Sequence, residues 1–325
     1  MIKKRVLLTS AVCALTAWLP ITSALAQAWP TKPVTLVVSY PPGGGADIMA
    51  RLIGPRLGEA LGQPVIVENR PGGSGQLAAG AVTRAPADGY TLLFDASSYA
   101  VTPTLFPASP YKGGKAFRTI AVTALFPNVV LVNPGFSART VAELVTAARK
   151  APDSVAFASS GNGSAQHLAG VLFEQSAGVQ MMHVPYKGGG PALNDVMGGQ
   201  VPVFFGNVAS TLGHIQSGRL RALAVTGRER SKALPDVPTV AQAGVAGFES
   251  YEWNGLFAPV GTPDAVVERL QAAVRQAMAA PEVRERITAL GGEPFRGDAN
   301  EAARFVAGEL DRMAKLVKAR AITVE

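Results

Sequence analysis

The chain has 325 residues, 48% of them hydrophobic and 16% charged, a balance that excludes a disordered polymer and a charge-laced coiled coil. Its length leaves room for about two domains. The formal charge of +7 comes with no aromatic-interleaved basic run and no helix-turn-helix or zinc-finger spacing, so it points to a solvated surface and not to nucleic acid.

Lys3, Lys4 and Arg5 precede an apolar run from Val6 to about Leu19, and Ala24-Leu25-Ala26 supplies a small-residue cleavage site. Residues 1–26 therefore read as a secretory signal. The apolar run is too short, and too soon followed by Pro20, for a membrane span. Cleavage leaves a net charge of +4 and removes Cys13, the one cysteine, which excludes disulfides, cysteine nucleophiles and thiolate metal sites in the mature chain. An exported protein is expected, located in the periplasm.

Beyond the signal, short β-branched runs alternate with helical patterns, the signature of an α/β protein with largely parallel sheets. Val34–Tyr40 reads as a strand, followed by a glycine loop, Gly43-Gly44-Gly45, and a helix from Ala46 to about Leu61. Val65–Val67 leads through Pro71-Gly72-Gly73-Ser74-Gly75 into a helix from Gln76 to about Arg84. Thr140 and Glu143 form a capping box that opens a helix to about Lys150. Val155–Ala158 leads through Ser159–Ser164 into a helix from Ala165 to about Gln175, the third unit of this geometry. Residues 227–247 read as loop-rich, and Tyr251–Pro259 as a strand. Thr262-Pro263-Asp264 predicts a capped helix ending near Ala280. In the last helix, Ala299–Arg320, the stripe Phe305, Leu310, Met313, Leu316 and Val317 is core packing.

The three strand–glycine loop–helix units carry the chemistry. A helix start leaves backbone N–H groups unpaired and partially positive, and glycine lets that backbone approach an anion closely. Each loop alone is equally an ordinary strand-to-helix turn; three in one chain favour binding. The dinucleotide fingerprint fails at Ile48, and no Gly-Lys-Ser/Thr closes a phosphate-binding loop, so no cofactor is expected and small carboxylates remain. Asp47 is either a helix-dipole partner or an acceptor for a ligand or a loop amide. Ser164 and His167, three apart, raise the alternative of an exported serine hydrolase, but no nucleophile elbow surrounds Ser164. Its hydroxyl reads better as a cap or anion donor, so alanine there is expected to weaken binding and leave the thermal midpoint nearly unchanged. His167, His183 and His214 are far apart in sequence and show no metal-binding pattern. No catalytic residue is assigned.

Three segments, Tyr40-Pro-Pro-Gly-Gly-Gly-Ala-Asp47, Val67-Glu-Asn-Arg-Pro-Gly-Gly-Ser-Gly75 and Ser160-Gly-Asn-Gly-Ser-Ala-Gln-His-Leu168, resemble the Bug-type periplasmic solute receptors of tripartite tricarboxylate transporters. His183-Val-Pro-Tyr-Lys-Gly-Gly189, Leu220–Thr226, Leu234–Thr239 and Ala258–Pro263 follow in family order, so the resemblance spans the mature chain. It implies a two-lobe Venus-flytrap of the type II periplasmic binding protein kind, with lobe one at 27–124 and 251–325 and lobe two at 125–250. The crossings would lie near Ala124–Val129 and Glu249–Trp253. It also implies a ligand carboxylate held between Pro42, Gly43, Gly44, Gly45, Asp47, Gly73 and Ser74 of lobe one and Ser160, Gly161, Ser164, His167, Tyr186 and Lys187 of lobe two. Ser97, Ser98, Gly206 and Asn207 correspond to distal-pocket positions. The implied partners are a small carboxylate and integral membrane permease subunits, with a sensor protein as a further possibility. Gly206 departs from the family pattern, where aspartate is common, and so does the segment Tyr111–Phe117.

Overall fold

The computed structural model describes residues 29–319 and Ile322; the signal segment 1–26, with Cys13, lies outside the described residues. In chain order the elements are β1 (Val34–Val38), α1 (Gly45–Leu61), β2 (Val65–Asn69), α2 (Gln76–Arg84), β3 (Thr91–Ala96), α3 (Ser98–Leu105) and β4 (Phe117–Val132). There follow α4 (Val141–Lys150), β5 (Ala156–Ser159), α5 (Ala165–Ala177), β6 (Met182–Pro185), α6 (Gly189–Met197), β7 (Val203–Asn207), α7 (Val208–Gln216) and β8 (Arg221–Val225). The chain closes with β9 (Tyr251–Pro259), α8 (Asp264–Ala279), α9 (Pro281–Ala289), β10 (Glu293–Pro294) and α10 (Ala299–Ala319).

Strand pairing runs β2-β1-β3-β9-β4-β7-β5-β6, with β8 and β10 on β4. The 16-residue β4 belongs to both halves: Phe117–Pro127 pairs with β9, and Asn128–Val132 with β7. The parallel strands expected from the sequence are present as β2-β1-β3 and β6-β5-β7, but β9, β4, β8 and β10 join them antiparallel, so the sheets are mixed. Local patterns do not reveal this, because pairing direction depends on where the chain crosses between the lobes. Helices cover both faces. In the first half Met49, Ile53 and Leu57 of α1 pack with Leu270 and Val274 of α8, and Val306 and Met313 of α10 pack with Tyr99 and Phe257. In the second, Leu144 and Phe173 meet Phe157 and Phe205 on one face, and Val196 meets Phe204 on the other.

Helix starts follow hydrogen-bond geometry. Thr140 Oγ1 accepts from Glu143 N at 3.1 Å, but Glu143 reaches back to Arg139 N (2.6 Å), one residue before the cap. Thr262 does not cap: the Pro263 carbonyl accepts from Val266 and Val267, so α8 begins one residue too late and Thr262 Oγ1 is buried without a partner. Ser164 does cap, accepting from His167 N at 3.2 Å. Behind this cap the His183 ring stacks between Phe157 and His167, with centroids 5.0 and 4.0 Å away. Ser159 Oγ meets His183 Nε2 at 2.7 Å, and Gly163 N–H donates to His167 Nδ1 at 3.1 Å.

Because Ser164 is 1% exposed and caps α5, Ser164→Ala should destabilise the protein by about 1 kcal/mol, contrary to the expectation from sequence, as a lower urea midpoint would show. Burial lowers the pKa of His167 to about 4, and burial followed by the charge of His167 lowers that of His183 to about 3. The unfolded chain thus binds more protons than the folded one as pH falls below about 6.5. Stability should therefore decline from pH 7 towards pH 4, and His183→Phe should flatten that slope in urea titrations.

Candidate ligand-binding crevice

The parallel strands of both halves point their C-terminal ends at one another, so the helices that follow them start at a shared crevice. Its inner part, a cavity of about 20 Å³, is lined by Gly44, Gly45 and Ala46 at the start of α1, Ala165 and Gln166 of α5, Gly189 of α6, and Asn207 and Ser210 of α7. Tyr40, Ala96, Ser160, Phe204 and Glu252 complete it. An outer cavity of about 250 Å³ shares Tyr40 and Ser160 and is bounded by Pro41, Gly72–Gly75, Gly161, Asn162 and Tyr186–Gly188. The first turns of four helices thus border one space; first-turn amides lack intrahelical acceptors, although Ser164 and Asn207 each accept one of them in α5 and α7. The dipole of each contributes about 0.3–1 kcal/mol towards an anion, and each charge-assisted hydrogen bond about 1.5–3 kcal/mol.

The halves touch across this space. Ser74 Oγ donates to the Asn162 carbonyl, and Gln166 Nε2 donates to Glu252 Oε2 at 2.5 Å. Gly188 (φ +118°) lies so close to Pro41 that an added Cβ would collide with its ring. Only glycine permits both this backbone angle and the approach.

Of the residues singled out from sequence, Gly44, Gly45, Ser160 and Asn207 line the inner cavity, and Gly73, Ser74, Gly161, Tyr186 and Lys187 the outer one. The others do not line either cavity. Pro42 and Gly43 are exposed on the loop. Asp47 accepts from Gly43 N (2.9 Å), Arg51 Nε (2.9 Å) and Asn69 Nδ2 (2.8 Å), which ties the glycine loop to β2. Burial opposes its ionisation, but these bonds hold its carboxyl below the usual range. Ser97 Oγ accepts from Trp253 N at 2.8 Å, and Ser98 Oγ donates to the buried Asp95 at 3.1 Å, so both hydroxyls are spent inside the first half. Gly206 lies within β7 against Phe204 and Thr211 and lines neither cavity. Ser164 is spent on the cap, and the Nδ1 of His167 on Gly163; among the described residues no hydrogen bond joins the Ser164 hydroxyl to that ring. Tyr186 lines the opening, but its hydroxyl donates to Asp195 at 2.7 Å.

Sequence reasoning missed the polar group at the crossing. Glu252, 5% exposed on β9, accepts from Gln166, whose Nε2 also reaches Asn128 Oδ1 at 3.1 Å. Burial raises the pKa of Glu252, against a smaller opposing influence from the Asn207, Gln166 and Asn254 side chains around it. Asn207 caps α7 by accepting from Ala209 N at 2.8 Å, which leaves its Nδ2 buried beside the crevice without a well-formed hydrogen bond. The available signal was a glutamate inside the strand-like run Tyr251–Pro259, whose only other strongly polar residue is Asn254, where a buried charge needs a reason.

Comparison with known proteins agrees with this architecture. Residues 49–322 match the tripartite tricarboxylate transporter family receptor. The chain is 39% identical over 292 residues to a protein from the tcbD-tcbE intergenic region of Pseudomonas sp. strain P51, covering 90% of this chain and 87% of that one. It is 36% identical over 295 residues to BugT of Bordetella pertussis, covering 90% of each. Among solved structures, Rpa4515 of R. palustris with adipate superposes at TM-score 0.86 with 35% identity, covering 91% of this chain and 99% of that one. The periplasmic binding protein BugD gives 0.85 with 33% identity, covering 91% and 100%. MatC of Rhodopseudomonas palustris with bound malate gives 0.82 with 32% identity, covering 89% and 99%. The fold is the two-lobe periplasmic binding protein fold, and the chain belongs to the tripartite tricarboxylate transporter receptor family.

Proposed function

We propose that this protein is an exported solute receptor that holds a small carboxylate between its lobes and hands it to integral membrane permease subunits, without making or breaking a bond. The observation that carries this reading is the convergence of four helix N-termini and the unpaired Asn207 amide on one interlobe crevice. Such an array favours a carboxylate through donors that are fixed within each lobe. The lobes would divide at 27–124 with 251–325, and at 125–250, β4 and β9 forming crossings beside the crevice. Adipate and malate in the structures of two relatives fit the same ligand class. Export rests on the signal read at residues 1–26, and delivery on family membership.

The inner cavity has room for about one water in the closed arrangement, so a carboxylate requires the lobes to part and close again around it. A thermal-shift screen over a panel of mono-, di- and tricarboxylates should show selective stabilisation, since a ligand bound by the folded state raises the midpoint by mass action. Asn207→Asp keeps an equally good helix cap but replaces the unpaired donor with a negative charge. It should weaken binding of the best carboxylate by about tenfold or more in calorimetry, and it should also lower the urea midpoint, because it sets a second buried carboxyl beside Glu252. Unchanged affinity in that variant would remove Asn207 from the site, and no response to any carboxylate would remove the receptor reading.

A further inference from the structure

The inner crevice holds a feature that a site for a plain carboxylate does not need. Glu252 sits among the helix N-termini, 5% exposed, on the strand that crosses between the lobes. Its Oε2 accepts from Gln166 and the amides of Asn207 and Asn254 stand beside it, yet of the roughly four acceptor sites a carboxylate offers only the one met by Gln166 is filled with good geometry. Asn207, 3% exposed, borders the same space with an Nδ2 that stands beside Glu252 but makes no well-formed hydrogen bond. The two atoms are close: a Cβ built on Gly45 would stand 2.8 Å from Asn207 Nδ2 and 3.1 Å from Glu252 Oε1. A donor and an anionic acceptor therefore share one small volume at the start of α1, and the absence of a side chain at Gly45 keeps that volume open.

From this juxtaposition we infer that Glu252 is a specificity-determining residue that reads an ammonium group on the carbon next to the ligand's carboxylate, so that the preferred ligands are amino acids and not plain dicarboxylates. The inference rests on the receptor reading above. The chemistry is a pairing of opposites at two points: Asn207 and the helix amides face the ligand carboxylate, and Glu252 faces its ammonium. A ligand lacking the ammonium would leave a buried carboxylate with unfilled acceptor sites, and a site built to receive a donor rejects an analogue without one. A second anionic group placed there would add like-charge repulsion in a space that water scarcely screens.

The test uses matched pairs that differ only in the α-ammonium: aspartate against succinate, glutamate against glutarate, phenylalanine against hydrocinnamate, each titrated by calorimetry into the full-length mature protein. At least one amino acid should bind tenfold or more tighter than its deaminated partner. In Glu252→Gln that ratio should fall towards one, mainly through loss of amino-acid affinity. The wild-type ratios need no variant, so they decide the question even if Glu252→Gln folds poorly. Equal or tighter binding of the deaminated partners by the wild type would overturn the inference and leave the receptor reading standing. An equal loss of both partners in Glu252→Gln would do the same, since it would make Glu252 a structural residue. Binding of neither kind, nor of any other carboxylate, would overturn both.

Discussion

The continuity of β4 through both halves of the molecule sets the geometry on which the site depends. β3 runs antiparallel to β9 and β9 antiparallel to β4, so β1 and β3 advance in the direction in which β4 leaves the first lobe. β7 runs antiparallel to β4, and β5 parallel to β7, so the strands of the second lobe run back towards the first. In α/β units ligands bind beyond the carboxyl ends of the strands. One shared strand therefore directs both sets of ends, and the helix starts that follow them, at a single crevice. The binding geometry is a consequence of strand direction before any side chain is considered.

This explains which parts could be read from the chain. The glycine loops and their helices were legible because each depends on neighbours in sequence: Gly45–Leu61, Gln76–Arg84 and Ala165–Ala177 form where the periodicity and the loops place them. β9 spans the expected Tyr251–Pro259 for the same reason. The antiparallel members of the sheets, the stacking of His167 on His183 and the use of Ser97 by Trp253 N depend on contacts over long sequence separations, which no local pattern encodes. Resemblance to the family pointed to loops that border the crevice but could not say which of their side chains were already engaged. Asp47, Ser98, Ser164 and His167 all lie close to the crevice loops, yet each is committed to holding a loop, a helix start or a buried acid. These residues position the site by fixing the backbone that lines it.

Electrostatic selectivity in such a crevice owes little to the protein's basic composition. Surface charges act through water and salt, which screen them within about 10 Å at ordinary ionic strength. Helix-start amides and a buried side-chain amide such as that of Asn207 are fixed in place and shielded from water, so towards an anion in the crevice they outweigh a net charge spread over the surface. The same reasoning gives Glu252 its importance. A single buried carboxyl among positive helix ends changes the local balance more than several surface lysines could, and burial raises its pKa because desolvation outweighs the polar side chains that face it.

The closed arrangement is also a competition. Gln166 reaches from α5 to Glu252 on β9, and Ser74 reaches across to Asn162, so hydrogen bonds between protein groups join the lobes across the crevice. Any ligand that enters must open these contacts and then offer more in return, and its apparent affinity reports that difference and not the sum of its own hydrogen bonds. Gln166 and Glu252 thus stand on both sides of the balance: bonded to each other they favour closure without ligand, and separated they expose a donor and an acceptor that an amino acid can satisfy together. On the inference drawn above, a plain dicarboxylate would use only the donor and leave Glu252 buried and poorly paired, which would make lobe closure itself a discriminating step.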